Sequence, residues 1–264
     1  MPYRIDFRNP SPDAIDRLIE LGALDVDRSD DGTVAALMPD DMSPERVAAA
    51  LGVSDVIVSP ATGRDDGSVW LLRPREVLVA GLRIAPASEP PASGTLRLHD
   101  TPAFGTGLHP TTALCLELIA EGVRDDAPQA LLDVGTGSGI LALGGLMFGV
   151  PRATGLDVDD EAVRVALENA RLNDRALQFE ALHGGPDIAS GRWPLVVANV
   201  LAAPLIEMAP QLVQRLGHRG RLVLSGIAES LEGEVDHTYR RLGMRRLESR
   251  SRGGWVALVM QASW

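Results

Sequence analysis

Leu131-Leu132-Asp133-Val134 runs without a break into Gly135-Thr136-Gly137-Ser138-Gly139, and an apolar stretch over 140–148 follows. A backbone that turns sharply while a ligand lies against it needs residues without a Cβ. The helix start that follows offers free N–H groups and the positive end of a dipole. Gly135, Gly137 and Gly139 are therefore candidate cofactor contacts. Their spacing is G-x-G-x-G. The G-x-G-x-x-G form seats a pyrophosphate, whereas the denser form suits a cofactor without phosphate. Asp157, 22 positions after Gly135, ends the next strand-like run. A carboxylate there can accept both hydroxyl protons of a ribose. Asp133 has two open roles, accepting from the loop's N–H groups or from a cofactor ammonium. Leu195-Val196-Val197-Ala198-Asn199 places an amide at the carboxyl end of a buried strand. Ligands bind at that edge of open α/β sheets. The Asn199 carbonyl could accept from an amine.

These residues must be carried by alternating strands and helices. The pattern predicts strands at 131–134, 153–158, 177–182, 195–200, 221–225, 244–249 and 255–260, with helices over 140–148, 160–172, 204–216 and 228–242. Only residues 250–254 separate the last two strands, which suits a hairpin and not a crossover helix. The sheet should be mostly parallel with one antiparallel strand. Residues 1–60 read as βαββαβ, a small α+β, ferredoxin-like unit. Its first helix starts near Ser11-Pro12-Asp13, its second opens at Ser43-Pro44-Glu45, and a turn lies at 29–32. Residues 61–95, rich in Gly, Pro and Asp, read as a linker with strands at 70–72 and 81–85 and a loop to 94. The larger α/β domain then spans 96–264.

Composition narrows the chemistry. The 264 residues carry a formal net charge of −11, and all 25 basic residues are arginine. Without lysine there is no Schiff base and no P-loop lysine. The negative field disfavours phosphate backbones and favours a basic partner. One cysteine, Cys115, allows no internal disulfide and no thiolate zinc cluster, and helix packing accounts for it. No metal site is expected. No leader and no membrane-length apolar run is visible, so the cytoplasm is the default compartment. The arginines at 240, 241, 245, 246, 250 and 252 read as a solvated edge rather than an extended nucleic-acid site.

The segments AFGTGLHPTT (103–112), LLDVGTGSGIL (131–141), GLDVDDEAV (155–163) and VVANVLAAPL (196–205) resemble the PrmA family of bacterial ribosomal-protein methyltransferases. The resemblance covers about residues 96–260. It implies an α/β chain with a seven-stranded class I methyltransferase (Rossmann-like) domain behind a substrate-recognition domain. It also implies S-adenosyl-L-methionine as cofactor and amines of large-subunit ribosomal protein eleven as acceptors. By resemblance, Phe104, Gly105, Thr106 and Gly107 form a loop beside the methyl donor. Thr112, Gly135, Asp157 and Asn199 contact the cofactor, and Asn199 and Thr106 serve the transfer. His109 is expected to have a structural hydrogen-bonding role. Thr136 stands where the family usually has Cys.

Three other readings remain open on the residues alone. One is the same transfer to another protein or small-molecule amine. One is an NAD-dependent oxidoreductase, against which the glycine spacing counts. One is a cofactor-binding module without catalysis. Asn199 is followed by Val200, Leu201 and Ala202. The absence of N-P-P-[YFW] there argues against amide or adenine methylation.

Overall fold

The computed structural model describes residues 3–8, 11, 14–23, 25–28, 33–39, 41–60, 76–99, 109–252 and 254–264. The chain begins with β1 (Tyr3–Phe7), α1 (Ala14–Glu20), β2 (Asp25–Arg28), β3 (Val34–Met38), α2 (Pro44–Leu51) and β4 (Val56–Pro60). Their sheet has the order β2-β3-β1-β4 with every pair antiparallel, the ferredoxin-like arrangement that the βαββαβ pattern predicts. Alternation along β1 buries Ile5 and Phe7 against Leu18 of α1 and Val47 of α2. The local chemistry of α2 is as the sequence indicates. The Ser43 side chain accepts from the Arg46 N–H, Pro44 opens the helix, and Gly52 closes it at φ 66°. Pro12, Asp13, the 29–32 turn and the strand expected at 70–72 lie outside the described residues.

A three-stranded sheet follows, of β5 (Val77–Val79), β6 (Leu82–Pro86) and β7 (Thr95–Leu98). The sequence suggests one strand and a loop in 77–98. The extra strands escaped because they are only three and four residues long and lie among Gly, Pro and Ser. Val79, Leu82, Ile84, Leu96 and Leu98 are all buried, in one core with Leu116, Ile119 and Leu143. Those partners belong to α3 (Pro110–Asp126) and α4 (Ile140–Phe148). The length of α3 was not legible either. Its first ten residues are nearly all buried, so no polar stripe marks its period.

The large sheet contains β8 (Leu131–Val134), β9 (Ala153–Asp157), β10 (Phe179–His183), β11 (Trp193–Asn199), β12 (Leu216–Ala228), β13 (Met244–Arg252) and β14 (Trp255–Ala262). Its order is β10-β9-β8-β11-β12-β14-β13. β14 lies antiparallel between β12 and β13, and the other neighbours are parallel. Of the remaining helices, α5 (Asp160–Leu172) packs in the core with α3 and α4, and α6 (Ala202–Glu207), α7 (Ala209–Arg215) and α8 (Glu232–Arg241) pack in a second core. The single helix expected over 204–216 is two, joined at Met208, because Pro210 has no N–H to continue the first. The expected strand at 177 begins two residues later, and Leu177 is exposed to solvent.

One buried polar contact joins the helices beneath this sheet. The fully buried Tyr239 of α8 donates its hydroxyl to the Leu205 carbonyl at 2.8 Å. Tyr239→Phe should cost about 1 kcal/mol, the net worth of one such bond. Urea unfolding should show a lower midpoint at an unchanged slope.

Candidate active site

Three adjacent strands end level with one another. Val134 of β8 pairs with Leu156 of β9 on one side and with Ala198 of β11 on the other. One residue further on, Gly135, Asp157 and Asn199 therefore stand in a row across the carboxyl edge. Asp157 and Asn199 are separated by two strand spacings, roughly 10 Å. Between β8 and β11 the strand order reverses, which opens a crevice at this edge.

Each glycine of the turn has its own reason. Gly135 adopts φ +74°, and a Cβ there would overlap the Val200 side chain. Gly137 adopts φ +54° and donates its N–H to Asp157 Oδ2 at 2.9 Å. Gly139 adopts φ +82°, and a Cβ there would lie 3.1 Å from Ala166 Cβ on α5. The Gly135 and Thr136 N–H groups both donate to the Leu156 carbonyl, at 2.8 and 2.9 Å. Gly155 is also required, since a Cβ there would sit 2.7 Å from Thr136 Oγ1.

Asp157 is held at both oxygens. Oδ2 takes the Gly137 N–H, and Oδ1 takes the Asp159 N–H at 3.1 Å. Each oxygen keeps a second lone pair for a hydroxyl. Asn199 is 9% exposed, and its amide has no side-chain hydrogen bond to another described residue. Val200 behind it is clamped, because a Cβ on Gly226 would overlap the Val200 carbonyl just as one on Gly135 would overlap its side chain. Thr112 sits in the first turn of α3, fully buried, with no hydrogen-bond partner for its hydroxyl among the described residues.

Asp133 points inward. It is fully buried, with Oδ2 accepting from the Thr136 hydroxyl at 2.7 Å and from the Ala142 N–H at 3.2 Å. Oδ2 serves the loop, while Oδ1, also buried, has no hydrogen-bond partner among the described residues. Thr136 thus makes a bond that fixes the turn. Burial pushes the Asp133 carboxyl up to about 7. The two hydrogen bonds pull the other way, and the nearby Asp157 charge adds to the rise. Its contribution to stability is therefore present at low pH and lost as pH rises through about 7.

His109 is the N-cap of α3. Its Nδ1 accepts from the Thr111 N–H at 3.4 Å and lies 2.8 Å from the Thr111 hydroxyl. Its ring meets Trp255 edge-on with centroids 5.1 Å apart. Burial lowers its pKa to about 4. This is a structural part and not a proton acceptor poised near neutrality. Phe104, Gly105, Thr106 and Gly107 lie outside the described residues. Cys115 is fully buried, and burial drives its thiol upward, so it is inert packing.

The arginine edge is largely neutralised. Arg250 pairs with Glu117, Glu121 and Glu248, Arg252 with Glu117, and Arg246 with Glu232 and Asp236. Among the described residues no group of three metal-capable side chains occurs, and no helix is long and apolar enough to cross a membrane.

Sequence reasoning missed two apolar side chains on this edge. Val158, directly after Asp157, is 76% exposed, and Leu201, two after Asn199, is 64% exposed. The available signal was an apolar residue just past a strand's polar end.

The His109 geometry gives a pH test. The unfolded imidazole takes a proton near its ordinary value, while the folded one resists until about 4. Stability should therefore fall as pH drops through that window, by on the order of 3 kcal/mol at its foot. His109→Asn keeps a capping side chain without a titrating ring. The melting temperature of the parent should exceed that of the variant most near neutrality, and the gap should shrink as pH is lowered to about 5.

The family model described as ribosomal protein L11 methyltransferase (PrmA) matches residues 80–263. A ribosomal protein L11 methyltransferase from Pelobacter propionicus is 40% identical over 79% of this chain and 70% of its own. One from Sorangium cellulosum is 33% identical over 98% of this chain and 94% of its own. Other relatives of the same name match over less than two thirds of their length, 58% in one case. The crystal structure of ribosomal protein L11 methylase from Lactobacillus delbrueckii subsp. bulgaricus superposes with a TM-score of 0.62 at 29% identity, over 69% of this chain and 95% of that one. With its class I fold and the glycine turn at the reversal of strand order, the chain belongs to the ribosomal protein L11 methyltransferase family.

Proposed function

We propose that this chain moves a methyl group from S-adenosyl-L-methionine to amines of ribosomal protein L11, on lysine side chains, the N-terminus or both. The carrying observation is the row of Asp157, the glycine turn and Asn199 along one sheet edge. A carboxylate held by two backbone N–H groups stands at one end, and at the other an amide that makes no side-chain hydrogen bond to a described residue.

The donor set fits this cofactor. Asp157 would take the ribose hydroxyls, and the turn at 135–139 would face the methionine portion with backbone rather than side chains. Val158 and Leu201 offer apolar surface for the remainder. The buried Thr112 hydroxyl, without a partner among the described residues, suits a contact that only a bound group completes. The bound cofactor supplies an electrophilic methyl on a sulfonium. By the resemblance, Phe104, Gly105, Thr106 and Gly107 would stand beside the methyl donor.

The residues' own work is to hold a neutral amine. Lysine carries a proton below about 10.4 in water, and a drier site favours the neutral form. The Asn199 carbonyl oxygen would accept one amine N–H and so aim the lone pair. His109 is committed to its helix cap, so the proton passes to solvent. Positioning is the main source of rate. The net charge of −11 would draw a basic acceptor. Residues 1–60 would bind that acceptor, and the catalytic unit would begin near residue 77, where β5–β7 join its core. A ribosomal acceptor puts the enzyme in the cytoplasm.

Titration with S-adenosylhomocysteine and methyl transfer to purified L11 test this reading. Because the chain has no lysine, every methyl-lysine found by mass spectrometry comes from the acceptor. Asn199→Ala should reduce turnover by about 10²-fold, as loss of a positioned polar group at a reacting centre does. Its affinity for S-adenosylhomocysteine should stay within about threefold. A parent protein that binds no S-adenosylhomocysteine would refute the proposal.

A further inference from the structure

The buried face of α5 is built from Ala162, Val165, Ala166 and Ala170, with one amide among them, Asn169. An amide in such surroundings is costly unless both of its ends are paired. Asn169 Oδ1 accepts the His99 N–H at 2.9 Å, just past β7. Its Nδ2 donates to the Ser138 carbonyl at 2.9 Å, inside the glycine turn. Four residues on, Asn173 does related work. It accepts the Arg97 N–H at 2.8 Å and donates to the Arg97 and Asn169 carbonyls, each at 2.7 Å. Together the two amides give β7 the partners that a neighbouring strand would give. Only Asn169 also holds the glycine turn.

The peptide between Ser138 and Gly139 is thereby engaged on both sides. Its C=O receives Asn169, and its N–H donates to the Thr136 carbonyl at 2.8 Å. A peptide bonded at both ends cannot flip, and a flip here would redirect the backbone dipoles of the turn. Ala166, one turn earlier on the same face of α5, fills the space that a Cβ on Gly139 would need. Helix α5 is thus the mould against which the turn is cast.

We propose that Asn169 is a positioning residue for methyl transfer, setting the Ser138–Gly139 peptide so that the turn accepts the donor. This rests on the reading that the turn holds S-adenosyl-L-methionine. Asn169→Asp is the sharpest variant. It keeps the shape and the acceptor toward His99, but it sets an oxygen against the Ser138 carbonyl where a donor stood. Asn173→Asp is the control, a similar change at the C-cap of the same helix with no contact to the turn.

S-adenosylhomocysteine affinity should weaken about tenfold in Asn169→Asp, the scale of one lost hydrogen bond, and stay within about threefold in Asn173→Asp. The KM for the donor should rise while kcat at saturation holds. Amide hydrogen exchange over 135–140 should quicken in the first variant alone. Equal affinity in Asn169→Asp and the parent, or equal effects in the two variants, would overturn the proposal. If Asn169→Asp does not fold, Asn169→Ser, which reaches neither partner, is read by the same measurements. Hydrogen exchange needs no ligand. A parent that fails to bind would thus sink the donor reading, while exchange over the turn would still decide the role of Asn169.

Discussion

The hydrogen bond from the Gly137 N–H to the Asp157 carboxylate joins the end of β8 to the end of β9. Everything at the sheet edge depends on that join. It forces Gly137 into a left-handed conformation and aims the Asp157 oxygens along the edge. It also brings the turn back over β9, where Gly135 and Thr136 share the Leu156 carbonyl. Gly155 must lack a side chain because Thr136 fills the space beside it, and Thr136 is there because Asp133 holds its hydroxyl. The glycines are a set of separate steric answers to neighbours, from Val200 on one side to Ala166 on the other.

Much of this was legible in the residues. The turn, the acid at 157 and the amide at 199 announce themselves because each is a polar or conformationally special residue at the end of an apolar run. The mostly parallel character of the large sheet, with one antiparallel strand, followed from alternation and from the short 250–254 connection. What escaped was set by tertiary context. The strands β5 and β7 are too short to show a period, and α3 is too deeply buried to show a polar face. Asn169 looked like one more residue of an amphipathic helix. Its meaning depends on His99 and Ser138, respectively 70 and 31 positions away. Asp133 could be read two ways from its position alone, and only the structure shows that one of its oxygens holds Thr136 and the start of α4.

The charge distribution has a similar lesson. An all-arginine complement could suggest a surface for nucleic acid. Instead planar guanidinium groups on β13 span to carboxylates of α3, with Arg250 and Arg252 reaching Glu117 and Glu121. Bidentate geometry of that kind suits arginine better than lysine. Exposed pairs contribute little to stability, but here they lock the helix that carries Thr112 to the antiparallel corner of the sheet. The acidic excess stays available for a basic partner.

Val200 is squeezed between two glycines, Gly135 of the turn at its side chain and Gly226 of β12 at its carbonyl. The backbone just past the tip of β11 is therefore closely packed in the folded state. A ligand arriving at this edge meets an amide whose loss of freedom has already been charged to the folding reaction, so less of the association free energy is spent on ordering it. A rigid Val200 thus lowers the ordering cost of any contact that Asn199 would make.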